Sequence, residues 1–395
     1  MAVNKVVLGD QTLIDLTADS VTPDKLFKGI TAHNMKGESI VGTMEGGGST
    51  PSEPSDNTAV IFADYDGNLI DTWTKDEVAS KTALPTPPAH TGLVFEGWNW
   101  TLEDIKTDTT GQVITVGPYY HTESGYSEYD VEVSFKRGMT MSLNTDKSRY
   151  SYIDWGDGTV ITEAVENNPS HTYSQAGNYT IKIALEGVQG TSVPSPAHNI
   201  KAIRYGVGIQ YKNIDTSAEY VTIPSDMIWN YGEVVLKNAK QITALKASLG
   251  DYYIKGKNLV YVAMVKEVVT ANAKNSLGSG EKSKYIYIPS SVTLIGNSAF
   301  QNCFLFQSIT IPESVTSIGN SAFQNCSSLQ SITIPSSVAS IGLYAFSSCS
   351  SLQSITIPES VTSIGDNAFY NCSSIYFAEI KSDAKINSST YNFGG

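Results

Sequence analysis

No stretch of this chain stays apolar for long. Across 395 residues no run approaches the roughly 18 apolar residues of a membrane-crossing helix, so bilayer insertion is not expected. Positive charge is scarce: 26 Lys and Arg stand against 39 Asp and Glu, and no basic run occurs. A surface with a net charge of −13 repels phosphate backbones, which argues against nucleic acid as a partner. The five histidines, His33, His90, His121, His171 and His198, fall in separate segments and suggest no ligand set. GxSxG, HExxH, P-loop and dinucleotide fingerprints are all missing. The expectation is a non-enzyme, with no catalytic residue, metal or cofactor. The opening MAVNKVVLGD lacks the apolar core of a signal peptide, and the closing YNFGG carries no wall-anchoring signal.

Cysteine is scarce too, and its placement introduces the main feature of the chain. Cys303, Cys326, Cys349 and Cys372 are 23 residues apart. The same step separates Pro289, Pro312, Pro335 and Pro358, then Gly296, Gly319, Gly342 and Gly365, then Phe300, Phe323, Phe346 and Phe369. A fixed period of this size signals a solenoid, in which each unit buries its apolar face only against its neighbours. In Leu329–Pro335 the alternation puts Ile332 and Ile334 on one face of a short strand, and the proline ends it. Val338 and Ile341 then turn inward, Gly342 permits the bend, and Ala345, Phe346 and Cys349 form a tight helical or 3₁₀ turn on the far side. Stacking makes columns of isoleucine and of phenylalanine. Equivalent positions in such stacks lie roughly 4.8 Å apart with parallel side chains, whereas disulfides prefer Cβ atoms about 3.8 Å apart. The cysteines therefore read as four buried free thiols, and a straight column cannot wrap a zinc ion.

The unit CxxLxxIxIPxxVxxIGxxAF resembles the BspA-type leucine-rich repeat over residues 285–380. That resemblance implies an interaction scaffold of the kind carried by bacterial surface proteins and phage proteins, without catalysis. Residues 198–280 read as degenerate coils of the same solenoid, since Tyr220–Pro224 mirrors the later Ile-Thr-Ile-Pro. Within it, Asn275–Gly280 reads as an extended loop.

Upstream, residues 1–44 suggest short strands and one helical turn at Pro23–Gly29, and they resemble an N-terminal module of phage tail-fibre and structural proteins. Residues 45–57 form a Gly/Ser/Pro linker. Residues 58–121 open with Asp64-Tyr65-Asp66-Gly67-Asn68, similar to the first motif of haloacid-dehalogenase phosphatases. Prolines follow almost at once and Asn68 stands where that family has Thr, so the reading taken is a β-hairpin turning at Asp66–Asn68. Pro85, Pro87, Pro88 and Gly92–Trp98 resemble the end of a Listeria–Bacteroides repeat, a small β-grasp module in which Phe95 and Trp98 are core. Residues 124–196 carry Asp154-Trp155-Gly156-Asp157-Gly158, His171-Thr172-Tyr173 and Tyr179, and resemble the PKD domain, an immunoglobulin-like sandwich. Asp154 and Asp157 offer calcium an incomplete site of two carboxylates; the reading taken is turn caps, with calcium left open.

The fold class expected is mainly β and multidomain: small β modules, a PKD-like sandwich and a C-terminal leucine-rich-repeat solenoid, arranged as a rod. The candidate binding surface is the outward face of the solenoid strands: Ser308, Ser331 and Ser354, with Thr310, Thr333 and Thr356. Tyr285 and Tyr287 frame it at one end, Tyr376 and Phe377 at the other. Hydroxyls between aromatics suit a host cell-surface glycan or protein. The leading function read from the sequence is a virion protein of tail-fibre or receptor-binding type, held to other virion proteins by residues 1–44. The alternative is a bacterial cell-surface adhesin. Homo-oligomerisation stays open.

Overall fold

In the computed structural model, four short strands are described within residues 1–53. From Pro54 to Lys381 the description covers all residues except 56, 135–138, 144–148, 166–167, 187–189, 192, 208–209, 212–213, 230–231, 244–251, 257, 265–277 and 281–283. The chain divides into two compact units, Met1–Glu53 and Pro54–Gly395. In the first, Lys5–Leu8 pairs antiparallel with Gln11–Asp15, and Thr31–His33 with Ser39–Val41. The helical turn expected at 23–29 lies outside the described residues.

The second unit begins with the hairpin read from Asp66–Asn68. Thr58–Ala63 pairs antiparallel with Leu69–Thr74, and Ile114–Val116 adds in parallel. Gly67 takes φ +83° at the tip, which only glycine adopts without strain. Leu93–Trp98 pairs with Pro118–Thr122 in a second small sheet. Phe62, Trp73 and Trp100 are buried among these strands, while Trp98 is half-buried with its ring 5.5 Å from that of Phe62.

In the PKD-like sandwich Trp155 is buried and Tyr173 donates its hydroxyl hydrogen to the Trp155 carbonyl at 2.7 Å. Asp154 accepts from the Gly156 N–H and Asp157 from the Thr159 N–H, so both aspartates cap the turn. His171 lies 2.7 Å from Asp157 and stacks on Trp155. Burial alone would raise the Asp157 carboxyl. The hydrogen bonds from His171 and Thr159 outweigh it and hold the group below its usual range.

The sandwich does not stop at the solenoid. Ser127–Val133 pairs antiparallel with Ile200–Arg204, which pairs in parallel with Tyr220–Thr222. One six-stranded sheet therefore runs from the sandwich into the first irregular coils. Arg204 fixes the junction: its guanidinium takes both oxygens of Asp130, at 2.7 and 2.6 Å, and reaches Glu128 at 3.2 Å.

Parallel ladders continue through the irregular region. Ile214–Thr216, Gly232–Leu236, Tyr252–Gly256 and Gly278–Gly280 form one sheet. The loop expected over 275–280 is thus a strand at its C-terminal half. A ladder needs backbone alone, so glycine and serine can form it although they favour strand less than β-branched residues do.

In the regular coils, Ser308–Thr310, Ser331–Thr333, Ser354–Ile357 and Phe377–Ile380 stack in parallel, and Leu294–Ile295, Ser317–Ile318, Ser340–Ile341 and Ser363–Ile364 form a second parallel sheet. The third side is a stack of tight turns closed by bonds three residues apart, as from Ser347 N–H to Tyr344 O and Cys349 N–H to Phe346 O, without a continuous helix. Ser321, Asn325, Tyr344 and Ser348 have positive φ, and the turns bond coil to coil, with Phe323 N–H donating to Ala345 O and Asn325 N–H to Ser347 O. Gly342 does not bend the chain through positive φ. A Cβ there would lie 2.6 Å from the backbone of Asn320 in the coil below, so glycine is required by close approach.

Phe300, Phe323, Phe346 and Phe369 stack at 5.1, 5.2 and 5.4 Å between ring centres. All four cysteines are buried and free of disulfides. Each of three donates its thiol hydrogen one coil down: Cys326 to Phe300 O, Cys349 to Phe323 O and Cys372 to Phe346 O, at 3.0–3.2 Å. Burial pushes the Cys349 thiol well up, so it stays protonated.

Within the second unit the modules do not stand end to end. Residues 60–287 share one apolar core that spans the first β module, the sandwich and the irregular coils, and a second core fills residues 286–372. The 58–121 module lies against the side of the solenoid. Asn99 donates to Ala263 O and Met264 O, the Trp100 indole to Met264 O, and Thr243 to Pro118 O. A Cβ on Gly117 would collide with Thr243 and Gln241, which fixes glycine at this contact.

Candidate functional site: the strand face of the solenoid

Alternation within each short strand decides the site. Ile309, Ile332 and Ile355 point inward and are buried; Ser308, Thr310, Ser331, Thr333 and Thr356 are exposed and Ser354 is half-exposed. Ladder register then sets them in columns. Ser308 pairs with Ser331, Ser331 with Ser354 and Ser354 with Phe377; Thr310 pairs with Thr333 and Thr356 with Glu379. A third column, of Gln307, Gln330, Gln353 and Tyr376, is tied by N–H to carbonyl bonds at 2.8–3.1 Å. At about 4.8 Å per coil, the face from Ser308 to Phe377 is roughly 14 Å long.

The two aromatic ends behave differently. Tyr376 is 79% exposed and Phe377 53%, so the far end carries an open aromatic pair. Tyr287 is a correction: it is only 2% exposed and is not a surface anchor. It occupies the outward position equivalent to Thr310, but the 58–121 module covers the face at that point. Trp100 packs edge-on to it at 5.0 Å, and its hydroxyl donates to Asp108 at 3.1 Å. Tyr285, two residues earlier, remains half-buried.

Gln112 is the residue that sequence reasoning missed. Its side chain donates to Ile288 O at 3.0 Å and accepts from the Ile288 N–H at 2.9 Å. The amide stands in for a neighbouring strand and satisfies the backbone of the first regular coil. No signal in the period of 23 points to it, because it comes from another part of the chain. Beside it, a cleft of about 320 Å³ opens between the loop 111–113 and the coil segments at 284–286 and 307–310. Tyr285, Ser308 and Thr310 line it, together with Lys284 and Gln307.

Asp64 and Asp66 form no reactive pair. Asp64 is buried, accepts from the Tyr65 N–H, and lies 2.7 Å from His90. Burial raises its carboxyl above the usual range. Asp66 accepts from the backbone and side chain of Asn68, as a turn aspartate does. Among the described residues, no group of three or more His, Cys, Asp or Glu side chains is placed to hold a metal, and no helix is long and apolar enough to cross a membrane.

The coil geometry and the sandwich geometry each have a family counterpart. Residues 273–393 match the BspA type leucine rich repeat region, in six copies, and residues 127–192 match the PKD domain. The regular coils are a BspA-type leucine-rich repeat region. Neither match reaches residues 1–126, so the likeness of residues 1–44 to phage modules gains no support from them. A search of curated proteins finds no match. Solved structures similar to this chain include the leucine-rich repeat protein of T. pallidum, at 23% identity over 38% of this chain and 70% of that one, with a TM-score of 0.25. A leucine-rich repeat protein from Bacteroides ovatus matches at 21% identity over 47% and 60% of the two chains, with a TM-score of 0.31. A leucine rich cell surface protein from Faecalibacterium prausnitzii matches at 21% over 47% and 61%, with a TM-score of 0.26. The chain thus spans less than two thirds of the latter two.

Proposed function

We propose that this is a non-catalytic adhesin-type protein of the bacterial cell surface, which binds a glycan or protein partner through the strand face of its solenoid. The observation that carries this reading is the set of Ser, Thr and Gln columns held in register on one parallel sheet, with an open aromatic pair at Tyr376 and Phe377. Such a face presents hydroxyls and amides at a fixed spacing and needs little reordering on binding, which favours affinity from few contacts. Several copies on one cell would add avidity. The BspA-type repeat supports surface display over the virion placement expected from residues 1–44, and the adhesin reading takes precedence. The sandwich, joined to the solenoid by one sheet and by Arg204, then acts as a rigid base that caps the first coils.

The test is immunolabelling of intact source cells and of purified phage particles from the same strain. Labelled cells and unlabelled particles are the expected result. Labelled particles with bare cells would return the protein to the virion.

A further inference from the structure

The first regular coil is in register on one side only. Leu294–Ile295 pairs with Ser317–Ile318, as the period demands. On the strand face, Ser308–Thr310 is the end of its sheet, and the equivalent segment one coil earlier, 285–287, belongs to no strand. The reason lies in the side module. Trp100 packs on Tyr287, Asp108 takes its hydroxyl, and Gln112 takes both backbone groups of Ile288. The segment is thereby held to the module rather than to the next coil, and the cleft opens where a ladder would otherwise close.

The chemistry of the cleft is uneven. Gln307, Ser308 and Thr310 offer an amide and two hydroxyls, and Tyr285 offers a half-buried ring. Among the described lining residues Lys284 is the only charged one, in a chain whose net charge is −13. Among the described residues Lys284 has no carboxylate within ion-pair distance. One ammonium beside hydroxyl and amide groups matches a single carboxylate on a polyol. It is too little charge for a phosphate or sulfate cluster, which favours several cations or arginine forks. The ring supplies a platform for the C–H face of a sugar, and the volume holds one or two pyranose units.

We infer that this cleft binds a carboxylate-bearing sugar, of the uronic- or sialic-acid class, with Lys284 on the carboxylate, Tyr285 against the ring, and Gln307, Ser308 and Thr310 on the hydroxyls. This rests on the surface-binding reading above and deepens it: the cleft is the selective end of the face, and the Ser/Thr columns continue from it.

The test uses the full chain and isothermal titration calorimetry with three probes. They are a glucuronate-containing disaccharide, its neutral glucose counterpart, and a tetrapeptide with a free C-terminal carboxylate. The acidic disaccharide is expected to bind about tenfold tighter than the neutral one, the worth of one charge-assisted hydrogen bond. Lys284→Gln, on the exposed rim, should abolish that preference, and Tyr285→Leu should weaken both sugars. Ala339→Ser, exposed beside the second parallel sheet and outside both cleft and face, should change neither, and each variant is to melt as the wild type does. No sugar binding, a preference that survives Lys284→Gln, or a tetrapeptide that binds as tightly as the acidic sugar would each overturn the inference. If sugars fail while the chain still binds cells or proteins through its face, the cleft assignment falls and the surface-binding reading stands.

Discussion

Replacing Gln112 with leucine removes two hydrogen bonds while keeping most of the side-chain volume. Gln112 is 8% exposed and Ile288 is fully buried. The substitution leaves the Ile288 N–H and C=O without their partner, and each unsatisfied buried backbone group costs about 1–3 kcal/mol. The sum is roughly 2–6 kcal/mol, and water entering from the adjacent cleft moves it toward the lower end. At about 2 kcal/mol, the unit Pro54–Gly395 should melt roughly 3 °C lower. Differential scanning calorimetry of the full chain reads this directly. Gln330→Leu is the control, because Gln330 is exposed on the same face and its loss should stay within about 0.5 kcal/mol. A Gln112→Leu protein that melts within a degree of wild type would refute the view that the side module caps the first coil.

Three further outcomes follow from the packing. Phe323→Ala, which empties the centre of the stacked column, should cost about 3–5 kcal/mol in urea unfolding, and an unchanged midpoint would mean that the turn side is not core. Thiol reagents should find none of the four cysteines in the native protein and all four in denaturant without reductant. Acid titration should expose the Arg204 junction. Burial alone would raise the Asp130 carboxyl, but Arg204 outweighs it and holds it below the usual value of 3.8. The unfolded chain then takes up this proton first as pH falls, so the stabilisation is present at neutral pH and fades below about pH 4. Arg204→Met should flatten that part of the acid limb, and an unchanged limb would contradict the assignment.

What could be read from the residues was whatever the local repeat decides. Phe323 is buried because Phe300 and Phe346 occupy the same position one coil away, and a step of 23 states that outright. The inward and outward sides of Ile332 and Thr333 follow from alternation alone. The WGDG turn was legible for the same reason, since Asp154 and Asp157 bond within two residues of themselves. Tyr287 was not legible. By register it faces outward like Thr310, and only Trp100 and Asp108, remote in sequence, bury it. Gln112 and the sheet that joins Ser127–Val133 to Ile200–Arg204 are equally non-local. The modules announce their own folds by short-range pattern, while their docking depends on single side chains that no period marks. The docking of the 58–121 module on the solenoid was hidden for that reason. The open end of the candidate site was readable from the strand pattern, and the cleft was not, because a module some 170 residues upstream makes it.

The central claim is that the strand face of the solenoid is the binding surface. The most direct measurement applies fluorescent full-length protein to arrays of glycans and extracellular proteins, with two double variants beside the wild type. Ser331→Glu with Thr333→Glu puts charge and bulk at the middle of the face. Ala339→Glu with Thr362→Glu does the same at exposed positions beside the second sheet. The wild type and the second variant should mark the same spots, and the first variant should lose them. A first variant that keeps every spot, or a second that loses them, would contradict the account.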